Sequence, residues 1–115
     1  MFSFIAFGFY LKEFHLITNI TGSIDELSLA ENQLDSIDSI EFKGISNLKK
    51  LDLKFNFIKS IENVELKGIS TLEDLDLSRN KIDLRNKMAR FKGVPYLRLL
   101  NLSDNHLIGN SNFFG

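Results

Sequence analysis

The sequence predicts an α/β solenoid, a stack of coils sharing one parallel β-sheet. Three observations predict it: an apolar pattern recurs at near-constant spacing, the segments between its copies match, and each copy carries an asparagine at the same place. IDELSLAENQL (24–34), LKKLDLKFNFI (48–58), LEDLDLSRNKI (72–82) and LRLLNLSDNHL (97–107) all read L-x-x-L-x-L-x-x-N-x-L, with Ile at some leucine positions. Their first residues, 24, 48, 72 and 97, lie 24, 24 and 25 residues apart. A period of this size marks a repeat architecture in which no unit can bury its apolar side without its neighbours.

Each element follows from that pattern. Alternate side chains of a strand face opposite ways, so Leu75 and Leu77 point inward while Asp74, Asp76 and Ser78 point outward. Strands stacked about 4.8 Å apart align Leu27/Leu29, Leu51/Leu53, Leu75/Leu77 and Leu100/Leu102 as inner columns. The return segments DSIDSIEFKGISN, KSIENVELKGIST and DLRNKMARFKGVPY supply the other wall through Ile37, Ile61, Phe42, Leu66, Phe91, Ile45, Ile69 and Val94. Gly44, Gly68 and Gly93 are expected where the return path bends with positive φ or close coil contact. Pro95 and the one extra residue of the third return segment lie near the same bend, so that coil should bulge outward and keep its register.

The asparagine answers a polar need. Where strand gives way to return segment, backbone N–H and C=O groups turn inward and must find partners. A carboxamide offers donors and an acceptor together, so Asn32, Asn56, Asn80 and Asn105 are expected to form a structural row, each bonding its own and a neighbouring coil.

The ends are less regular. FIAFGFYLKEF (4–14) has apolar spacing that places Phe4, Phe7, Phe9 and Phe14 at leucine positions and Lys12 where asparagine belongs, a degenerate first repeat of 20 residues. The chain then divides into one domain, 1–115, with repeats near 4–23, 24–47, 48–71 and 72–96 and an incomplete unit at 97–115. Phenylalanine-rich MFSFIAFGFYL and NFFG lie at the two ends, and uncapped solenoid ends are expected to self-associate.

Composition narrows the function. The 115 residues are 43% hydrophobic and 25% charged, with a net charge of −1, so no basic surplus is present to hold a phosphate backbone. Cysteine is absent and the histidines are His15 and His106, which leaves little for a metal or thiol site. The longest apolar run, MFSFIAFGFYL, is shorter than the roughly 20 residues a membrane-crossing helix needs. No nucleophile–base constellation or phosphate loop is evident, so neither enzymatic activity nor a cofactor is expected. The Asp52/Asp76 pair reads as solvated surface.

Outward positions align across coils: Glu26, Lys50, Asp74 and Leu99; Ser28, Asp52, Asp76 and Asn101; Ala30, Lys54, Ser78 and Ser103; Glu31, Phe55, Arg79 and Asp104. They vary while the inward positions stay apolar. The candidate partner-binding set is Lys50, Asp52, Lys54, Phe55, Asp74, Asp76, Arg79, Leu99 and Asn101, with Phe55 and Arg79 of the types enriched at binding hot spots. Asn19-Ile20-Thr21 and Asn101-Leu102-Ser103 are glycosylation acceptor triplets.

The repeated L-x-x-L-x-L-x-x-N-x-L pattern resembles the leucine-rich repeat family over residues 24–107 and, more loosely, 4–23. With Phe or Leu ten or eleven positions after the asparagine, it is similar to the 24-residue class of Toll-type receptors, Slit proteins and small leucine-rich proteoglycans. The resemblance implies a right-handed horseshoe segment with the sheet on its concave face and loops with short 3-10 or helical turns on its convex face. It also implies a non-enzymatic module whose concave face binds a protein ligand or another repeat chain, in a receptor-like, secreted or extracellular setting such as innate immunity. The cysteine-rich caps usual in full-length extracellular members are missing here. Three alternatives therefore stand beside it: a structural spacer, a truncated repeat fragment, and an intracellular scaffold in the cytoplasm.

Overall fold

The computed structural model describes residues 2–6, 8–12, 14–15, 24–37, 40–41, 47–59, 69–83 and 94–106. Among the described residues seven strands run in chain order: β1 (Phe2–Ile5), β2 (Phe14–His15), β3 (Ile24–Ser28), β4 (Ile40–Glu41), β5 (Lys50–Asp52), β6 (Asp74–Asp76) and β7 (Leu99–Asn101). Five of them form one sheet in the order β1-β3-β5-β6-β7, with every neighbouring pair parallel. One strand per repeat, laid beside its predecessor, is what a 24-residue period produces.

Side-chain alternation sorts the faces. Leu27, Leu51 and Leu75 are register partners and are buried, as are Leu29, Leu53 and Leu77 one turn of the pleat further on. Leu34, Ile58 and Ile82 close each motif in the same core, and Ile24, Leu48 and Leu72 open it. Ile37, Ile69 and Val94 reach this core from the return segments. Burying a side chain of this size contributes roughly 1.5–3 kcal/mol, so the shared core outweighs anything one short strand could supply.

The backbone ladder continues past the strand ends. Leu29, Leu53 and Leu77 each donate an N–H to a carbonyl of the next coil, Asp52, Asp76 and Asn101, at 2.8 Å. Glu31, Phe55 and Arg79 repeat this two residues on, to Lys54, Ser78 and Ser103, at 2.9–3.1 Å. Between those donors the chain turns sharply, because the residue before the motif asparagine has positive φ in every coil: Glu31 56°, Phe55 57°, Arg79 55° and Asp104 56°.

The first coil differs from the expected alignment by three residues. Phe4 pairs with Leu27, Ala6 donates to Ser28 where Leu29 donates to Asp52, and Gly8 donates to Ala30 where Glu31 donates to Lys54. Ala6, Phe9 and Leu11 thus occupy the second strand-leucine, asparagine and final leucine positions, not Phe9, Lys12 and Phe14; Phe14 lies in β2. The physical reason is Gly8, whose φ of +71° fills the left-handed position without the steric cost other residues incur there. Phe7, a leucine position in the sequence reading, lies outside the described residues.

Beyond the main sheet, β2 pairs with β4 in a second, two-stranded parallel sheet that the repeat pattern did not foretell. The described return segments also contain 3-10 geometry at Ile37, and no α-helix occurs among the described residues. Gly44, Gly68, Gly93, Phe42, Ile45, Ile61, Leu66 and Phe91 lie outside the described residues, so the expected glycine bends and that part of the return wall are not placed. Despite the longer third return segment, Asp74 still pairs with Leu99 and Asp76 with Asn101, and register is kept across the Pro95 coil.

Candidate functional site: the outward strand face and its asparagine row

The turn after each strand is built by one amide. Asn80 Nδ2 donates to Leu77 and Ser78 carbonyls of its own coil at 3.0 and 3.1 Å and to Leu53 of the preceding coil at 3.0 Å. Its Oδ1 accepts the N–H of Ile58, again in the preceding coil, at 3.1 Å. Asn56 and Asn105 repeat the pattern, with Leu34 and Ile82 as the N–H donors. Asn32 does the same toward Ala6 and Leu11, and adds Phe9 N–H at 3.1 Å. Asn32, Asn56 and Asn80 are buried, so these bonds satisfy backbone groups that water cannot reach.

The row before it ends the strand. Asp52 Oδ1 accepts Lys54 N–H at 3.1 Å, and Asp76 Oδ1 accepts both the N–H and the hydroxyl of Ser78 at 2.9 and 2.7 Å. Asn101 makes the same turn with Ser103, at 3.0 and 2.7 Å. An Asx side chain two residues ahead of an N–H competes with the strand ladder and releases the chain into the bend. Part of this row is therefore structural, whatever its outer oxygens meet.

On the outward face the two strand rows are Ser3, Glu26, Lys50, Asp74, Leu99 and Ile5, Ser28, Asp52, Asp76, Asn101, aligned by strand register. Together with the backs of Leu27, Leu51, Leu75 and Leu100 they line a groove of about 530 Å³. Lys50 approaches Glu26 at 3.9 Å, Lys54 approaches Asp52 at 3.7 Å, and Arg98 Nε lies 3.6 Å from both Glu73 and Asp74. At 3.6 Å the Arg98–Asp74 contact is an ion pair and not a hydrogen bond, which leaves Asp74 Oδ1 buried without a donor. The third row is not the open surface the alternation predicts: Ala30 and Ser78 are buried, because the chain has already turned toward the asparagine.

Phe55 and Arg79 lie on the rim rather than in the groove lining. Phe55 is exposed, and the Arg79 guanidinium sits 4.7 Å from its ring centroid while its Nε pairs with Asp104 at 3.4 Å. Two residues on, Lys81 stands 4.9 Å from the exposed Phe57 ring. Sequence reasoning missed Phe57; the signal was there, since the residue between asparagine and final leucine must point away from the core. It also missed Ile5 as a groove residue, because the first coil was read three residues out of step, and placed Glu26 on the outward face without counting it in the binding set.

Two family models match the chain. A leucine-rich repeat model matches residues 22–82, more than half of the sequence, and a second leucine-rich repeat model matches residues 95–111. The chain belongs to the leucine-rich repeat family. No individual curated protein matches it. Leucine-rich repeat domains generally mediate protein–protein interaction and are generally not enzymes. Among the described residues there is no group of acidic or histidine side chains able to hold a metal ion, and no helix is long and apolar enough to cross a membrane. In this leucine-rich repeat chain Asn101 is exposed at the strand edge, whereas Asn19 lies outside the described residues.

Proposed function

We propose that this leucine-rich repeat chain is a protein-binding module whose concave strand face, with the Phe55–Arg79 rim, contacts the partner. One observation carries the reading: five parallel strands hold non-repeating side chains in register along a groove, while the inward side stays uniformly apolar. Lys50, Asp52, Asp74, Asp76, Leu99 and Asn101 line that groove, and Lys54, Phe55 and Arg79 border it. A surface of aligned strands is rigid, so it binds with little ordering cost.

A receptor-like, extracellular role is supported by the 24-residue period and by the two acceptor triplets. Asn101 lines the groove, so a glycan there and a partner in the groove exclude one another.

Photo-crosslinking from a single reactive residue tests the face. Placed at Lys50, in the groove, it should give partner adducts that a Phe55→Ala/Arg79→Ala variant of unchanged stability diminishes; placed at exposed Ser70, it should not. Equal adducts from both positions, or adducts from Ser70 only, overturn the assignment.

A further inference from the structure

We propose that the groove receives an extended segment of a protein partner that sets one basic side chain, Lys or Arg, against Asp76 and apolar side chains toward Ile5 and Leu99. This rests on the strand face being the contact surface and adds the chemistry of what it contacts.

The charges of the groove point to a cation. Its lining carries four carboxylates, Glu26, Asp52, Asp74 and Asp76, against one ammonium, Lys50. Glu26 is matched by Lys50, Asp52 by Lys54 and Asp74 by Arg98. Asp76 has no ion pair among the described residues, and its Oδ1 is already engaged by Ser78. It is the fourth of five in its strand row, one strand from β7, and is register-paired with a second carboxylate, Asp52. Like charges facing each other across neighbouring strands are unfavourable, and a cation set between them turns that repulsion into attraction. The rim offers nothing equivalent, because the Phe55 and Phe57 rings already carry Arg79 and Lys81.

Shape completes the match. The groove runs from Ile5 on β1 to Leu99 on β7, both strongly exposed at 67% and 58%. Four strand steps of about 4.8 Å, crossed diagonally between the two rows, span roughly 20 Å, which an extended chain covers in about six residues. Apolar side chains at the ends of such a segment and a cation about three-quarters of the way from the Ile5 end meet Ile5, Asp76 and Leu99 together. Complementary charge of this kind steers encounter and rejects wrongly charged partners.

The variant that tests it is supplied by the protein itself. Asn101 builds in its own coil the turn that Asp76 builds, with the same acceptor atom and the same serine two residues on. Asp76→Asn therefore removes charge and keeps the turn, which a urea midpoint no lower than that of the unaltered chain verifies. Random 12-residue peptides displayed on phage are selected on the full chain at low ionic strength, and the most enriched peptide is synthesised. Enriched sequences should carry Lys or Arg flanked by apolar residues, and the peptide should shift backbone amide resonances of β5 and β6. Its affinity should fall about tenfold with Asp76→Asn, the loss of one charge-assisted contact, and about as much when its basic residue becomes Gln. Acidic or uncharged winners that still shift β5 and β6, or affinity indifferent to Asp76→Asn, overturn the cation while leaving the groove as contact surface. No enrichment, or shifts confined to other surfaces, overturn both.

Discussion

The middle coils and the coils at the two edges of the sheet carry nearly the same pattern, yet they are not equally protected. Leu51 and Leu75, in β5 and β6, are 1–2% exposed, whereas their counterpart Leu100 in β7 is 36% exposed. Hydrogen bonding follows a different rule. Asn105 in the last described coil makes the same carbonyl and N–H contacts as buried Asn80, at 2.9–3.3 Å. Each asparagine reaches back to the coil before it, so its bonds need one neighbour. Burial needs two. At the opposite edge the amide position holds Phe9, which is exposed and contributes only its backbone N–H to Asn32. The amide row thus has a direction, and the apolar core does not.

That contrast can be broken by experiment. The largest effect is expected from Asn80→Ala, which leaves buried carbonyls of Leu53, Leu77 and Ser78 and the N–H of Ile58 without their partner. A loss of about 4 kcal/mol in urea unfolding is expected, against about 2 kcal/mol for Asn105→Ala, where water reaches the freed groups. Equal losses would mean that burial is irrelevant to the amide row. Next comes the core: Leu75→Ala should cost about 3 kcal/mol and Leu100→Ala about 1 kcal/mol by the same measurement, since a half-exposed side chain leaves no sealed cavity. If Leu100→Ala proves as damaging as Leu75→Ala, the edge coil is as well covered in solution as the middle.

Smaller effects sharpen the account of the turn. An added Cβ at Gly8 meets nothing within 4 Å, so Gly8→Ala tests backbone conformation without a clash. It should cost about 1 kcal/mol through the left-handed φ. The converse change at the equivalent position, Glu31→Gly, should gain about 0.5 kcal/mol, relief of strain being partly offset by greater freedom of the unfolded chain. Thermal midpoints of the two variants moving in the same direction would show that this position does not govern the turn.

Much of the molecule was legible before its structure, and the reasons are local. Leu27, Leu51 and Leu75 share a register because equal spacing along the chain becomes equal height in a stack, and Asn32, Asn56 and Asn80 align for the same cause. Phe55 could be placed at the surface since its two motif neighbours, Asn56 and Leu53, had to face inward. The first coil was harder: in FSFIAFGFYL phenylalanines occur at nearly every other position, so periodicity admits several registers. Only pairing with β3 chose among them, through Gly8. Ala30 and Ser78 were read as outward because alternation was carried past the strand end, which at Ser78 is set by the Asp76 turn.

What the residues settle without help is periodicity: which side chains face inward, which amide recurs, and that each coil must lean on another. Those follow from spacing, and spacing is written in the chain. Which carboxylate in the groove is left without a cation, which aromatic rings are already capped, and that an Asx turn closes β5, β6 and β7 were decided only in three dimensions. Each depends on side chains some 24 residues apart coming within a few ångströms, as Arg79 does over Phe55, and a one-dimensional pattern holds no record of that distance.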